Sequence, residues 1–552
     1  MGAKIVKFIF LLCFLFSSIS VFANEINNCI RVGITDNKFE NVLKQEIDLY
    51  ATADSMICDK LTHKVLYNVT PESIIHIKNS ITGLELTIDG KTHTLRDIVI
   101  ISPTGLLGVK DLTRKGLPAL YHGAFEIIQN STHSGFYLVN IVEIQEYLKG
   151  VVPNEMPIRF GLEALKAQAV AARNYVLTPR TQAYEEFNVV DSISSQVYFG
   201  ANTESDIATR AVIETDGILA LYEHSPILAL YSSTAGGYTE SYAYAFSEPS
   251  TKTFPSIHRP YLVAVPDREE FKNLNEEENA SKFYKSKIPS YDIDSPYYRW
   301  QKKWAVGELE NVLKKTLVTQ SKTGFISPIF KEGDDLGVIK DIKVMKRGAS
   351  GKVIELDLMT TKDCFRISKE LIIRRVFQKD GNSLPSANII FEKELDSNGD
   401  ITDITIYGGG FGHGVGMSQY GAGFLATKML QPYYNILRHY YTGISLGTKP
   451  IDIIDKPVKQ TFWAPIGRAE IVIVGQIAPK ITVEINGKKE DFIINKHYFQ
   501  KQSKIDISRY IEDGSNTIVF YPTVCPIKVY VELVEAYAKN ECFDKEGNVD
   551  KN

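Results

Sequence analysis

The chain of 552 residues is too long for one ordinary hydrophobic core, and we expect two or three domains. Hydrophobic residues make up 44% and charged residues 23%, a composition typical of a globular protein and not of a disordered or fibrous one. The formal net charge of −4 gives no argument for a nucleic acid or an anionic membrane surface as a partner.

The first residues have the pattern of a secretory signal peptide. Lys4 and Lys7 precede the apolar run 8–16, and small residues end at Ala23. The apolar run is too short to span a bilayer comfortably. We therefore predict a signal peptide over residues 1–23, no stable membrane span after its cleavage, and an exported protein in the periplasm or the cell-wall space.

Five cysteines follow this segment: Cys29, Cys58, Cys364, Cys525 and Cys542. None stands in a Cys-x-x-Cys pair, so the pattern does not predict zinc. An exported protein can form disulfides, and proximity along the chain favours the pairs 29–58 and 525–542. The odd number leaves one thiol over, and the sequence does not determine the connectivity.

Residues 24–145 predict a β-rich region. The alternating segment 84–95 is centred on Asp89 and Gly90, a pair that favours a tight hairpin turn. Residues 135–142 predict a further strand, which leads into the first motif.

That motif, YLKGVVPNEMP, covers residues 147–157. Pro153 and Pro157 each fix φ and remove a donor, so we predict that Glu155 lies in a stiff loop outside any helix. Residues 160–177 then predict a strong amphipathic helix. Its expected buried stripe consists of Leu162, Leu165, Ala169, Ala172 and Val176. The motif is consistent either with a simple connection or with a carboxylate held rigidly for chemistry.

Shorter elements follow the helix. We predict a helix near 206–215 and strands at 218–222 and 227–231, the last ending at the polar, glycine-containing segment 232–240. Its glycines favour either a tight turn or a close approach of backbone to a ligand.

The charged segment 266–290 predicts an exposed insertion. Trp300 and Trp304 lie four residues apart, which suits a sugar-binding platform or a helix anchored to the core. The pattern then continues as an amphipathic helix over 305–317.

The second motif, GGGFGHGVGMSQYGA, covers residues 408–422 and contains seven glycines. That density excludes a helix, and the missing Gly-Lys-Ser/Thr excludes a phosphate loop. His413 has no partners at metal-ligand spacing, and no Gly-x-Ser-x-Gly pattern surrounds Ser418, so neither metal binding nor a serine nucleophile is predicted. Helices are expected at about 420–430 and 433–441.

The remaining residues change in character. Residues 451–458 predict a linker and 459–538 a small β-sandwich, in which Asn486 and Gly487 favour a hairpin turn. Such modules bind carbohydrate in some proteins and act as spacers in others. Residues 539–552 predict a polar tail.

The two motifs, in this order, resemble the signatures of the SpoIID/LytB family of stage II sporulation protein D and amidase enhancers. The resemblance covers about residues 140–447, so 146–450 is interpreted as the SpoIID-like core. Family members act on peptidoglycan: those with Glu in the Pro-x-Glu-Met-Pro position are lytic transglycosylases, and others stimulate an amidase. The expected fold class is α+β, with a β-rich catalytic region, a few packed helices and the C-terminal β-sandwich.

The resemblance implies a lytic transglycosylase with Glu155 as the single general acid and base. An ordinary glycosidase needs two carboxylates, but here a hydroxyl group of the substrate is the nucleophile. The proposed substrate-binding residues, whose polar groups suit an N-acetylated glycan, are Lys166, Arg173, Gln196, Tyr198, Tyr231, Ser233, Gly236, Thr239, His413, Ser418 and Gln419. Family members with His or Cys in the loop 232–237 could use a metal; this chain has neither there, so the resemblance implies no metal, and no cofactor is expected.

Two other functions remain open. A non-catalytic glycan-binding activator of a wall amidase would keep the fold without needing an acid, and the glutamate at position 155 favours the enzyme. A structural wall-anchoring protein would bind glycan and show neither activity. The expected partners are glycan strands and a wall amidase or other hydrolase.

Overall fold

The computed structural model describes residues 28–178, 184–465, 467–475, 479–494 and 502–534. The described residues divide into two compact units: unit 1 comprises those within 1–158 and 179–213, and unit 2 those within 159–178 and 214–552. The predicted signal peptide, the predicted tail and Cys542 lie outside the described residues.

The helices of the described residues are short. They are α1 Ile144–Glu155, α2 Leu162–Leu177, α3 Asp206–Ile213, α4 Tyr242–Ala245, α5 Glu277–Tyr284, α6 Val306–Ser321, α7 Glu370–Val376, α8 Gln419–Thr427 and α9 Tyr433–Tyr440. The sequence patterns predicted α2, α3, α6, α8 and α9, which are confirmed with slightly shifted ends. Of the helices described here, none is long and apolar enough to cross a membrane.

Unit 1 is mainly β-structure. Its strands are β1 Cys29–Gly33, β2 Leu43–Lys44, β3 Glu46–Ala51, β4 Ser55–Asp59, β5 Val65–Val69, β6 Ile75–Ser80, β7 Gly83–Ile88, β8 Lys91–Leu95, β9 Ile98–Ile101, β10 Leu107–Arg114, β11 Leu117–Tyr121, β12 Ala124–Gln129, β13 Phe136–Glu143 and β14 Val189–Val190. One sheet has the order β14-β1-β13-β12-β9-β4-β5, with β2 on β13, and the other has the order β11-β10-β3-β6-β7-β8.

Two local predictions in unit 1 are confirmed. The β7–β8 hairpin turns at Asp89 and Gly90, whose φ values are +49° and +73°. The strand predicted before the first motif is β13, and α1 begins at the residue after its end. The sheet therefore determines where α1 starts.

The predicted disulfide between Cys29 and Cys58 is wrong. Cys29 lies in β1 and Cys58 in β4, with β13, β12 and β9 between these strands. Four steps of about 4.8 Å correspond to about 19 Å along the sheet, far more than the 4.4–6.8 Å between the Cα atoms of a disulfide. Cys58 is a buried free thiol, and burial raises its pKa.

Unit 2 contains the remaining strands. They are β15 Leu219–Tyr222, β16 Ser225–Pro226, β17 Tyr231–Ser232, β18 Trp300–Ala305, β19 Ile326–Ser327, β20 Ile339–Arg347, β21 Val353–Thr360, β22 Cys364–Ser368, β23 Ile389–Leu395, β24 Ile401–Gly408, β25 Met417–Ser418, β26 Ser445–Gly447, β27 Ile451–Ile453, β28 Val458–Ala464, β29 Arg468–Val474, β30 Lys480–Ile485, β31 Lys488–Ile493, β32 Gln502–Asp506, β33 Gly514–Phe520 and β34 Ile527–Val534.

These strands form several small sheets. Their orders are β17-β25, β18-β24-β23, β19-β22-β21-β20, β28-β33-β30-β31 and β16-β15-β26-β34-β29-β32, the last with β27 on β34. An apolar core around the fully buried Trp304 joins α6 and α7 to the sheets β18-β24-β23 and β19-β22-β21-β20. The α+β fold class is confirmed.

Two expectations for the middle of unit 2 differ from the structure. The segment 266–290 is only partly exposed, because Phe271, Phe283 and Tyr284 pack in a small apolar core. Trp300 and Trp304 lie in strand β18 and not in a helix. The Trp304 indole N–H donates to the carbonyl of Gln378 at 3.1 Å. Its side chain is therefore part of the core and not a sugar platform.

The C-terminal strands share a sheet with the central part of unit 2. Strand β26 pairs with β15 on one side and with β34 on the other. The predicted linker 451–458 contains β27, which also pairs with β34. The predicted hairpin at Asn486 and Gly487 is confirmed between β30 and β31. The shared sheet makes this region continuous with the core of unit 2, and it is not a separate module on a linker.

Candidate active site

Glu155 is the last residue of α1, and the prediction that it lies in a loop is wrong. Pro153 lies inside this helix of 12 residues. A proline there disrupts the regular hydrogen bonding of the helix. Two other donors approach the backbone nearby: the carbonyl of Gly150 accepts from the Asn154 side-chain amide at 2.7 Å and from the Phe199 N–H at 3.3 Å. The Phe199 N–H thus ties α1 to the segment that follows Val197.

The carboxylate of Glu155 is held by the backbone of a second segment of unit 1. Its Oε1 atom accepts a hydrogen bond from the Val197 N–H at 2.6 Å. The side chain is partly exposed at the C-terminal end of α1. The structure therefore provides one oriented carboxyl group that remains accessible to solvent.

The segment that carries Val197 is fixed at its start by a buried ion pair. Asp191 and Arg114 have fully buried side chains, and the guanidinium Nη2 lies 2.7 Å from the carboxylate Oδ2. The other carboxylate oxygen accepts from the hydroxyl and the N–H of Thr35 at 2.6 and 3.0 Å. Because Asp191 is only six residues before Val197, this network also positions the donor to Glu155.

Gln196 and Tyr198, predicted to bind substrate, are fully buried. The Tyr147 hydroxyl donates to the side-chain carbonyl of Gln196 at 3.0 Å, and the Tyr198 hydroxyl donates to Asn140 at 2.9 Å. Burial raises the pKa of Tyr198 well above its usual value. Both residues are buried supports of the segment that holds Glu155.

Close packing along α1 leads to the first testable prediction. A methyl group at Gly150 would lie 2.7 Å from the buried Tyr198 ring, so we expect Gly150→Ala to lower the free energy of unfolding by about 1–3 kcal/mol. Gly307→Ala in α6 is the control, because nothing lies within 4 Å of its added methyl group. It should be neutral or stabilising by about 0.5 kcal/mol. Urea unfolding measures both, and equal effects would contradict the packing argument.

Three side chains of unit 1 have metal-ligand chemistry. His122, Glu146 and Glu204 bring one ligand atom each within 4.8 Å of one another. The imidazole Nε2 lies 2.9 Å from Glu204 and 3.5 Å from Glu146, and Lys149 is paired with the latter at 2.6 Å. The hydrogen bond to Glu204 raises the pKa of His122, which favours an imidazolium paired with carboxylates over a neutral metal ligand.

In unit 2, α2 is buried on nearly all sides and not along a single stripe. Arg173 is 2% exposed, and its guanidinium donates to the carbonyl of Ile218 at 3.1 Å, so it braces the backbone. Lys166 is paired with Glu163 at 2.8 Å and Glu214 at 2.7 Å. The contact of Arg173 agrees with a bracing role, and the ammonium group of Lys166 is engaged in holding α2.

Residues 232–240, called the first glycine loop below, lie against residues 408–421, called the second glycine segment. Strands β17 and β25 pair in parallel, and Thr234 forms a bridge with Phe411. A methyl group at Gly236 would lie 2.8 Å from the carbonyl carbon of Gly409. The glycines therefore allow two backbones to pack directly on one another.

Most of the predicted cleft residues in these two segments are buried framework. Ser418 caps α8 by accepting from the Gly421 N–H at 3.3 Å. The side-chain amide of Gln419 donates to Gln168 at 3.3 Å. The Thr239 hydroxyl accepts from the Val265 N–H at 2.8 Å. These residues and Gly236 are all buried, and the hydrogen bonds described here are framework contacts.

Tyr231, Ser233 and His413, like Lys166, are partly exposed. The imidazole Nδ1 of His413 accepts from the Val415 N–H at 3.0 Å. Burial of the ring, followed by the charges of Lys352 and Arg374, holds the pKa of His413 well below its usual range. His413 is therefore a neutral hydrogen-bonding group near neutral pH.

The structure adds an exposed aromatic pair that the sequence did not reveal. The rings of Phe411 and Tyr297 lie 4.4 Å apart and are 39% and 38% exposed. Two rings from segments more than a hundred residues apart thus form one apolar surface beside the second glycine segment.

Comparisons with known proteins support the resemblance of the first motif. The sequence pattern of the family described as stage II sporulation protein, SpoIID, matches residues 132–222. A pattern described as a domain of unknown function, DUF8618, matches residues 248–416. The first match contains α1 and α2, and the second contains most of the middle part of unit 2 and the start of the second glycine segment.

Several relatives align over more than half of the chain. The amidase enhancer of Bacillus subtilis is 30% identical over 305 residues, 54% of this chain and 40% of that protein. The stage II sporulation protein D of Bacillus amyloliquefaciens is 28% identical over 338 residues, 58% of this chain and 77% of that protein. An uncharacterized protein of Brachyspira hyodysenteriae is 28% identical over 437 residues, 78% of this chain and 95% of that protein.

The aligned part of the chain thus spans less than half the length of the amidase enhancer, although it covers most of the sporulation protein. The SpoIID match falls on the first motif with Glu155, and the relatives are named for the two branches that the motifs resemble. The motifs, the domain match and these relatives together show a SpoIID region over residues 132–222 and support a relation of the chain to the SpoIID/LytB family.

Proposed function

We propose that the protein is an exported lytic transglycosylase acting on peptidoglycan, with Glu155 as its single general acid and base. The bond cut is the β-1,4 bond between N-acetylmuramic acid and N-acetylglucosamine. The observation that supports this most is the geometry at the end of α1, where one partly exposed carboxyl group is oriented by the Val197 N–H at 2.6 Å. A rigidly placed acid is what proton transfer to a leaving oxygen requires.

The reaction needs only one carboxyl group because the substrate supplies the nucleophile. Protonated Glu155 donates its proton to the glycosidic oxygen as the bond to the anomeric carbon breaks. The 6-hydroxyl of the same N-acetylmuramic acid then bonds to that carbon, and its proton goes to the Glu155 carboxylate. The products are a 1,6-anhydro end and a free 4-hydroxyl, no water is consumed, and the acid is regenerated.

The aromatic pair supports glycan binding and leads to a second prediction. An aromatic face contributes about 0.5–1.5 kcal/mol to a stacked contact, so we expect Phe411→Ala to weaken binding of purified glycan strands about 3- to 10-fold. Ile329→Ala is the control, because Ile329 is 62% exposed and not part of the pair. Calorimetric titration measures both variants, and an unchanged Kd for Phe411→Ala would contradict a glycan contact at this ring.

The relative named amidase enhancer favours a second candidate function, a glycan-binding activator of a wall amidase. A single assay distinguishes the two. Purified protein is incubated with glycan strands in the absence of amidase, and the products are analysed by mass spectrometry. New 1,6-anhydro ends support the enzyme. No new ends, together with faster cleavage by an added amidase, would replace it with the activator.

A further inference from the structure

The backbone of the first glycine loop is held by a carboxylate from a distant part of unit 2. Asp292 is fully buried, and its Oδ2 atom accepts hydrogen bonds from the N–H groups of Gly236 at 2.7 Å and Gly237 at 3.1 Å. Its Oδ1 atom accepts from the hydroxyl of Ser418 at 2.5 Å. One side chain therefore binds the first glycine loop and the second glycine segment together.

Two further side chains from the same region bind the carbonyl groups of the loop. The guanidinium of Arg299 donates to the carbonyl of Gly236 at 2.9 Å, and the side-chain amide of Asn388 donates to that of Ala235 at 3.0 Å. A glycine-rich backbone has little intrinsic preference for one conformation, so its shape depends on such external partners.

The second glycine segment is bound in the same way. The Trp300 indole N–H donates to the carbonyl of Gly410 at 3.0 Å, and the Ser386 hydroxyl donates to that of Gly409 at 2.7 Å. The Gly410 N–H in turn donates to the carbonyl of Tyr297 at 2.8 Å. All of these partners lie within residues 248–416, the part that matches the domain of unknown function.

We propose that the side chains and backbone groups between residues 292 and 388 that bind the two glycine-rich segments act as a brace for them. Asp292 is the central positioning residue of this brace. Without Asp292, the first glycine loop and the segment that carries His413 would lose their defined positions relative to one another. The expected consequence for glycan binding rests on the proposed function, whereas the loop-holding role does not.

The charge environment of Asp292 gives this proposal a second observable. Burial, followed by the negative charge of Asp267, raises the pKa of Asp292 to about 6, against hydrogen bonds from Ser418 and Gly237 that lower it. The titratable or charged groups around it are Asp267, Arg299, Tyr298, Tyr440 and, next to Asp267, His439.

The sign of the pH effect follows from this shift. Because the pKa in the folded state lies above the ordinary value of 3.8, folding favours the protonated form of Asp292. Its contribution to the free energy of unfolding is therefore greatest below the unfolded pKa and is lost as the pH rises through the folded pKa. Above this pKa, the Asp292 carboxylate accepts its three hydrogen bonds, but its burial as an anion lowers the free energy of unfolding.

The first test measures amide hydrogen exchange near pH 7.5 in peptides covering residues 232–240 and 408–421. We expect Asp292→Ala to speed exchange in both at least about tenfold, because the N–H groups of Gly236 and Gly237 lose their acceptor. Asp292→Asn keeps one acceptor oxygen and should largely restore protection. Unchanged exchange in Asp292→Ala would overturn the proposal, as would equal loss throughout unit 2.

Asp267→Asn is the matched control. Asp267 is equally buried in the same region, but its carboxylate accepts from the Ser290 hydroxyl at 2.6 Å and the Tyr291 N–H at 3.0 Å, and not from either glycine segment. We expect wild-type protection of the first glycine loop in this variant. A loss as large as in Asp292→Ala would mean that general destabilisation, and not positioning, explains the result.

The second test compares urea unfolding of the wild type and Asp292→Asn from about pH 4 to about pH 7. The wild type should lose stability relative to the variant as the pH rises through about 6. In the Asp267→Asn background this loss should be smaller, because the like charge that raises the pKa of Asp292 is removed. A pH-independent difference would overturn the assigned role of the Asp292 anion.

These measurements also separate the two proposals. If the exchange and unfolding results are as expected, but the wild type neither cuts glycan nor stimulates an amidase, the brace stands and the proposed function fails. If the wild type cuts glycan but Asp292→Ala leaves hydrogen exchange unchanged, the proposed function stands and the brace fails.

Discussion

Glu155→Gln should abolish the release of 1,6-anhydro ends from purified glycan strands. The amide keeps the shape of the side chain and an oxygen that can accept from the Val197 N–H, but it cannot donate a proton and take it back. General acid and base catalysis contributes about 10²- to 10⁴-fold to a rate, and here one group would perform both steps. We therefore expect a loss of at least about 10³-fold with glycan affinity unchanged.

Glu146→Gln provides the matched control, since Glu146 lies on the same helix near its other end. Its carboxylate pairs with Lys149 and His122, so the variant removes a charge from α1 without touching Glu155. We expect near wild-type cleavage. Cleavage by Glu155→Gln within about tenfold of the wild type would exclude Glu155 as the acid. If only the activator function is present, both variants should stimulate an amidase equally.

The largest expected effect on stability is that of Asp191→Ala. The substitution leaves the guanidinium of Arg114 fully buried without its carboxylate partner and removes the acceptor for Thr35. Breaking a buried ion pair on one side costs about 3–5 kcal/mol, a large part of the 5–15 kcal/mol that keeps a domain folded. Urea unfolding followed by circular dichroism should show this loss.

Two variants test the physical reason for that loss. The double substitution Arg114→Met with Asp191→Leu removes both charges, and we expect it to recover most of the stability, because well-packed apolar pairs often replace buried ion pairs at little cost. Glu278→Ala breaks an exposed pair with Lys282, whose side chains are 80% and 71% exposed, and should change the free energy of unfolding by less than about 0.5 kcal/mol. No recovery in the double variant would show that packing volume, and not the unpaired charge, explains the loss.

Asp191→Ala should also lower activity before the protein unfolds. The ion pair fixes the start of the segment whose Val197 N–H orients Glu155. A displacement of that segment would disturb the carboxyl group without changing its chemistry. At temperatures where the variant is still folded, we therefore expect a lower rate of cleavage with an unchanged pattern of products.

The sequence by itself determined those features that depend on neighbours along the chain. The spacing of apolar residues predicted α2, α8 and α9, and the residue pairs at 89–90 and 486–487 predicted two hairpins, because helices and tight turns are stabilised by contacts within a few residues. The first motif likewise pointed to Glu155 as the candidate acid, through its resemblance to the SpoIID/LytB family.

Only the tertiary structure decided which polar residues are exposed and what holds the loops. Pro153 lies inside α1, although the local pattern predicted a loop there. Tyr198 and Arg173, which were expected to contact a sugar, are buried and hydrogen-bonded to other segments. Asp292 contacts Gly236 and Ser418 across 56 and 126 positions of sequence. No local pattern encodes such partners, because a buried polar group takes its hydrogen bond from whichever segment packing brings to it.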